Sequence, residues 1–94
     1  MEKEQIIQIL LQNNCPEVQV DAMANKILCF KPQILASFEQ WTYDGAFPEL
    51  EMEGYTIKLL CDDYGLHPIG AFVTLDWLSR EPDKATAALR RGKR

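Results

Sequence analysis

Apolar residues recur along the chain at the three-and-four spacing of helices, in segments set apart by prolines and glycines. Ile6, Ile7, Ile9, Leu10 and Leu11 give the segment from Lys3 to Gln12 a wide apolar face. Asn13-Asn14-Cys15-Pro16 then reads as a turn and restart. Val20, Met23, Ala24, Ile27 and Leu28 fall at the i, i+3, i+4, i+7 and i+8 positions of a second helix, predicted to run to about Phe30. Lys31-Pro32 breaks it, and a third helix follows with Ile34, Leu35, Phe38 and Trp41 on one side, fading at Asp44-Gly45. Thr56 is the expected N-cap of a fourth helix from Ile57 to Tyr64, with Gly65 as its stop. Pro68 opens a fifth helix carrying Ile69, Phe72, Val73, Leu75 and Leu78. Pro82 opens a sixth with Ala85, Ala88 and Leu89 inward and Gly92 at its end. A proline in the first turn of a helix loses nothing by lacking an N–H.

The exception to helical period is Asp44 to Tyr55. Leu50 and Met52 alternate there with Glu49, Glu51 and Glu53, the pattern of a short strand, but no second strand is evident to pair with it. A lone strand is not stable, so this stretch is expected to be loop. The predicted fold is all-α: a compact bundle of five or six short helices, with a helix-turn-helix-like hairpin at 56–79. Residues 1–89 form one domain and residues 90–94 a basic C-terminal tail.

Composition agrees with a packed bundle. Ninety-four residues make one core, and 47% hydrophobic with 26% charged residues marks a globular chain. No apolar run approaches the roughly 18 residues of a membrane helix. Met1-Glu2-Lys3-Glu4-Gln5 is polar and acidic, unlike a secretory signal. The cysteines, Cys15, Cys29 and Cys61, are odd in number, form no C-x-x-C pair and lie in or beside apolar stretches. That usage suits reduced, buried thiols and a cytoplasmic setting.

The net charge of −4 is unevenly spread. Glu39, Asp44, Glu49, Glu51, Glu53, Asp62 and Asp63 face a single base, Lys58, between Glu39 and Asp63. Lys84, Arg90, Arg91, Lys93 and Arg94 follow with no acid among them. An acidic middle and a basic end can meet within one molecule, between two copies, or on different partners.

The 56–79 hairpin invites a DNA-reading interpretation, with its threonine cap, Gly65 in the turn and the small residue Cys61 four positions earlier. Its second helix argues against this. His67-Pro68-Ile69-Gly70-Ala71-Phe72-Val73-Thr74-Leu75-Asp76-Trp77 offers no Arg, Lys, Asn or Gln to base edges, and Asp62, Asp63 and Asp76 would repel phosphates. The basic tail, with Lys84, Arg90, Arg91, Lys93 and Arg94, is a separate means of touching phosphates without reading sequence. As a solvated end whose Arg90 and Arg91 favour a helix C-terminus, it needs no nucleic acid.

No catalytic constellation emerges. Cys61 and His67 are six residues apart, but a zinc site needs two close pairs, and the other cysteines supply none. As a nucleophile, Cys61 would be hindered by acids that raise its pKa. Asp62 and Asp63 are adjacent on a helix and diverge by about 100° rather than converging. There is no phosphate-binding glycine loop and no calcium loop. The expectation is a non-enzymatic protein with no cofactor, no metal, no membrane segment and no evident small-molecule substrate.

The stretch QWTYDGAFPELEMEGY, Gln40 to Tyr55, concentrates aromatic and acidic residues. Trp41, Tyr43, Phe47 and Tyr55 with Glu49, Glu51 and Glu53 make a candidate protein-binding site, because interfaces favour aromatic anchors ringed by polar groups. Trp41, Phe47, Leu50 and Met52 equally suit a lid folded over the core, with some of Tyr43, Phe47 and Tyr55 left at the surface. The partner is expected to be another protein or a second copy, giving a homodimer. Two alternatives stand beside it: an accessory nucleic-acid-binding protein using the tail and hairpin, and an acidic surface imitating phosphate charge with Glu49, Glu51, Glu53, Asp62 and Asp63.

Glu53-Gly54-Tyr55-Thr56, the later Phe72, Leu75 and Leu78, and Glu81-Pro82 with Ala85 give the chain a likeness to known sequences. It resembles a loose group of small uncharacterised bacterial helical proteins that share an E-G-Y-T cap and a last helix after P-x-x-A. The resemblance implies a helical fold and a bacterial cytoplasmic setting, and it carries no activity and no site.

Overall fold

The computed structural model describes residues 1–92; Lys93 and Arg94 lie outside the described residues. Six helices follow in order: α1 (Lys3–Gln12), α2 (Glu17–Leu28), α3 (Pro32–Asp44), α4 (Ile57–Tyr64), α5 (Pro68–Arg80) and α6 (Pro82–Gly92). Between α3 and α4 lie two short strands, β1 (Glu51–Met52) and β2 (Tyr55–Thr56). The chain is an all-α bundle with a minimal hairpin added, and its Cα radius of gyration is 12.8 Å.

The helix boundaries follow local chemistry. Thr56 Oγ1 accepts a hydrogen bond from the Leu59 N–H at 3.1 Å, satisfying an otherwise unpaired donor of α4's first turn. Gly65, at φ 68°, ends α4 in the left-handed region, and the Leu66 N–H closes on the Leu60 carbonyl at 3.2 Å. Pro32 and Pro68 begin α3 and α5 where their missing N–H is harmless.

The α5 helix is the hub. It packs against α3, α4, α6 and β1, while α1 and α2 pack on each other. Ile6, Leu10, Ala24, Ile27, Ile34, Phe38, Ile57, Leu60, Ile69, Phe72, Leu75, Leu78, Ala85 and Leu89 form one core. At its centre the Phe38 and Phe72 rings meet edge to face, 5.3 Å between centroids. The near-perpendicular arrangement sets the positive edge of one ring on the negative face of the other.

Four expectations are corrected. The strand pattern at Leu50–Met52 does find a partner: Glu51 pairs with Thr56 and Met52 with Tyr55, across a turn in which Glu53 (φ 52°) and Gly54 (φ 84°) are both left-handed. Two consecutive left-handed residues match the twist of a two-residue hairpin. The hairpin persists because Leu50, Met52 and Tyr55 pack against the core. The second helix stops at Leu28, so Phe30 leaves it and buries its ring 6.3 Å from Phe38, while Leu28 is exposed. Asp76 is not a surface charge but 8% exposed, accepting from the Lys31 N–H at 3.0 Å and Arg80 Nε at 2.8 Å. Cys29 is exposed and Cys15 and Cys61 only half-buried, rather than all three being sealed in the core.

Candidate functional site

The candidate aromatic and acidic residues divide into support and surface. Trp41, on α3, lies 5.8 Å from Phe38 and 5.6 Å from Phe72, so its indole belongs to the core's aromatic cluster and is half-buried. Tyr55, on β2, meets Tyr64 edge to face at 5.9 Å. A hydrogen bond with Tyr55 is the main cause raising the Tyr64 phenol pKa above 10.0. Of the expected lid residues, Trp41, Leu50 and Met52 pack against the core while Phe47 does not, and Tyr55 joins the packed side chains.

Tyr43 and Phe47 project outward, at 89% and 41% exposure. Glu49, Glu51 and Glu53 are exposed beside them in sequence, and none of the three belongs to an ion pair among the described residues. The turn after α3 separates Tyr43 from Phe47. Asp44 accepts from Gln40 Nε2 at 2.6 Å and from the Ala46 N–H at 2.9 Å, and Gly45 (φ 74°) supplies the left-handed step. Those bonds, Gln40's first, hold the Asp44 carboxyl below its ordinary pKa of 3.8. A carboxylate whose folded pKa is depressed lends the turn stability that is full above the unfolded value and lost as pH falls through the lower, folded one. The Ala46 amide resonance is therefore expected to titrate with a midpoint below 3.8, and a midpoint at or above it would contradict the turn.

Tyr43 also stands at the rim of a groove between α1 and α3. One part, 660 Å³, is lined by Met1, Gln5, Gln8, Ile9, Glu39, Thr42 and Tyr43; an adjoining 340 Å³ shares Ile9 and Thr42 and adds Gln12, Asn13, Trp41 and Gly45. Sequence reasoning missed the α1 wall. Gln5, Gln8 and Gln12 recur at helical spacing, but nothing local indicates that α3 lies opposite them.

The remaining candidates do not converge. Lys84 lies 3.7 Å from Glu81, Arg90 and Arg91 are exposed on the last turn of α6, and Lys93 and Arg94 lie outside the described residues. Asp62 is paired with Lys58 at 3.0 Å, the bond that chiefly raises the Lys58 pKa above 10.5. The Cys61 thiol is pushed above 9.0, first by burial and then by Asp62. His67 caps α5: its Nδ1 accepts from the Ile69 N–H at 3.1 Å. The neutral ring then carries its proton on Nε2, leaving no free lone pair for a thiol or a metal unless the cap is broken. The cavity beside His67 is lined by Cys15 and Met23 rather than Cys61. No group of three His, Cys, Asp or Glu side chains placed to hold a metal occurs among the described residues. No helix among them is long and apolar enough to cross a membrane.

No protein-family model matches the chain, nor does any curated protein or solved structure.

Proposed function

We propose that this chain is a non-enzymatic protein-interaction module. Its docking face is the rim of the α1–α3 groove with Tyr43 and Phe47, flanked by Glu49, Glu51 and Glu53. The observation that carries this reading is Tyr43, a large aromatic held 89% exposed at the end of a well-anchored helix. Exposed rings at the edge of a concave, partly apolar surface are the anchors from which interfaces draw most of their energy. Three carboxylates without ion-pair partners among the described residues favour a partner segment bearing Lys or Arg, by charge complementarity. Trp41 and Tyr55, packed against the core, flank this face in the chain.

Glu53 adds weight. A residue with a Cβ in the left-handed region costs about 1 kcal/mol, and glycine or asparagine is the usual occupant. Glu53→Asn is expected to raise unfolding stability by about 0.5–1 kcal/mol, seen as a higher urea midpoint at unchanged slope. A lower midpoint would mean that the Glu53 carboxylate itself stabilises the fold.

The nucleic-acid alternative keeps Arg90 and Arg91, exposed at the end of α6. What weighs against it is α5, whose Ile69, Phe72, Leu75 and Leu78 are committed to the core, leaving little of that helix for a groove.

The test is quantitative capture from a cell extract by the immobilised protein, comparing the parent with Y43S/F47S, with E49K/E51K/E53K and with a control altered at Glu17. Sedimentation of each reports self-association. The reading holds if the same protein, or dimerisation, is lost with both altered faces and kept in the control. Identical captured sets, with every variant monomeric, would overturn it.

A further inference from the structure

A second concave site lies away from that face, between α2 and α5. It is a cleft of 270 Å³ lined by Lys26, Val73, Thr74, Asp76, Trp77 and Arg80. Trp77 is 37% exposed on a helix whose other large apolar residues are buried or half-buried. Its indole N–H donates to Glu81 Oε2 at 3.0 Å, which fixes the ring's orientation through its edge rather than its face.

The other walls are fixed as well. Arg80 donates from Nε to Asp76 at 2.8 Å and from Nη2 to the Cys29 carbonyl. Asp76 is anchored in turn by the Lys31 N–H at 3.0 Å. Thr74 Oγ1 donates to the Gly70 carbonyl at 2.8 Å, so its hydroxyl has spent its proton and offers lone pairs. Walls ordered in advance lose little entropy when a ligand binds, which is the main obstacle for a small site.

The charges around the cleft decide the ligand's sign. Asp76 offsets Arg80, and Lys84 at 3.7 Å offsets Glu81. The Lys26 ammonium is in no ion pair among the described residues, so it is the uncompensated charge at the rim. The volume falls just below the roughly 300–1,000 Å³ of drug-sized sites, which suits one or two fused rings.

We propose that this cleft binds a planar aromatic monocarboxylate, its ring against the Trp77 indole and Val73 and its carboxylate paired with Lys26. Ring-on-indole contact rewards planarity, and the lysine rewards a single negative charge. The site is independent of the protein-interaction reading and shares no residue with that face.

The test is titration of the ¹⁵N-labelled protein with 2-naphthoate, following the indole N–H resonances of Trp77 and Trp41. The probes 2-naphthamide and cyclohexanecarboxylate remove the charge and the planarity in turn. Saturable shifts at Trp77, with Trp41 unmoved and a dissociation constant below about 1 mM, are expected. Lys26→Gln, an exposed change that leaves the core intact, is expected to weaken 2-naphthoate about fivefold. Both control probes should bind more weakly than 2-naphthoate. The proposal is overturned if the Trp77 resonance fails to saturate by about 10 mM 2-naphthoate. Equal binding of the amide, equal binding of the saturated ring, or indifference to Lys26→Gln would each overturn it too.

Discussion

Replacing Phe72 by alanine is expected to cost about 3–5 kcal/mol of unfolding free energy, a large share of the roughly 5–15 kcal/mol that holds a domain of this size together. The ring is fully buried, at the hub helix, and touches both Phe38 (5.3 Å) and Trp41 (5.6 Å). Deleting it removes buried apolar surface, leaves a void that the rigid helices around it fill poorly, and breaks two aromatic contacts at once. Urea unfolding followed by tryptophan fluorescence checks the value, with Phe72→Leu expected to lose substantially less. The thermal midpoint should fall by about 4–8 °C for each kcal/mol lost. A second consequence separates this position from other core sites. Trp41 also lines the α1–α3 groove, so under the proposed interaction reading the variant should weaken capture of the partner as well, at temperatures where it remains folded. A loss under about 1.5 kcal/mol, the range of volume-conserving swaps, would mean that the aromatic cluster is not the centre of the core.

The helices were legible because their ends carry residues with one physical use. Thr56 and Gly65 bracket α4 as a hydroxyl acceptor and a left-handed stop, and Pro32 and Pro68 mark starts, so the boundaries follow from local chemistry. The hairpin escaped because its second strand is only Tyr55-Thr56, two residues that also cap α4, and because Glu occupies a turn position where Asn or Gly would have signalled it. Phe30 escaped because the apolar spacing of α2 continues past the point where its backbone leaves the helix.

The candidate site was legible in part for a related reason. Aromatic and acidic composition marked the candidate segment, but composition does not distinguish Trp41 and Tyr55, packed inward, from Tyr43 and Phe47, facing out. That distinction depends on Phe72 and Tyr64, which come from other helices. The groove needs α1 opposite α3, and the Trp77 cleft needs α2 beside α5. Neither pairing is encoded in any short stretch of sequence.

Asp76 is the sharpest instance, since an acid between Leu75 and Trp77 reads as solvent-facing until its partner is known. That partner is the Lys31 N–H, 45 residues away, at the start of α3. Asp76→Ala is expected to cost about 2–3 kcal/mol. Losing a buried charged acceptor leaves an amide donor unsatisfied, worth about 1–3 kcal/mol. Breaking a fully buried ion pair would cost about 3–5 kcal/mol, but the Arg80 side chain is 46% exposed, so water relieves much of its charge and the lower range applies. Two further measurements identify the mechanism. Hydrogen exchange at the Lys31 amide should accelerate far more than at Leu78 or Leu60, because the tie between α3's first turn and α5 is cut. The double change D76A/R80A should be less harmful than the sum of the single changes, since each single change strands the other's partner. Additive losses, with Lys31 exchange unchanged, would show that Asp76 stabilises only α5 itself and that the α2–α3 junction is held by packing alone.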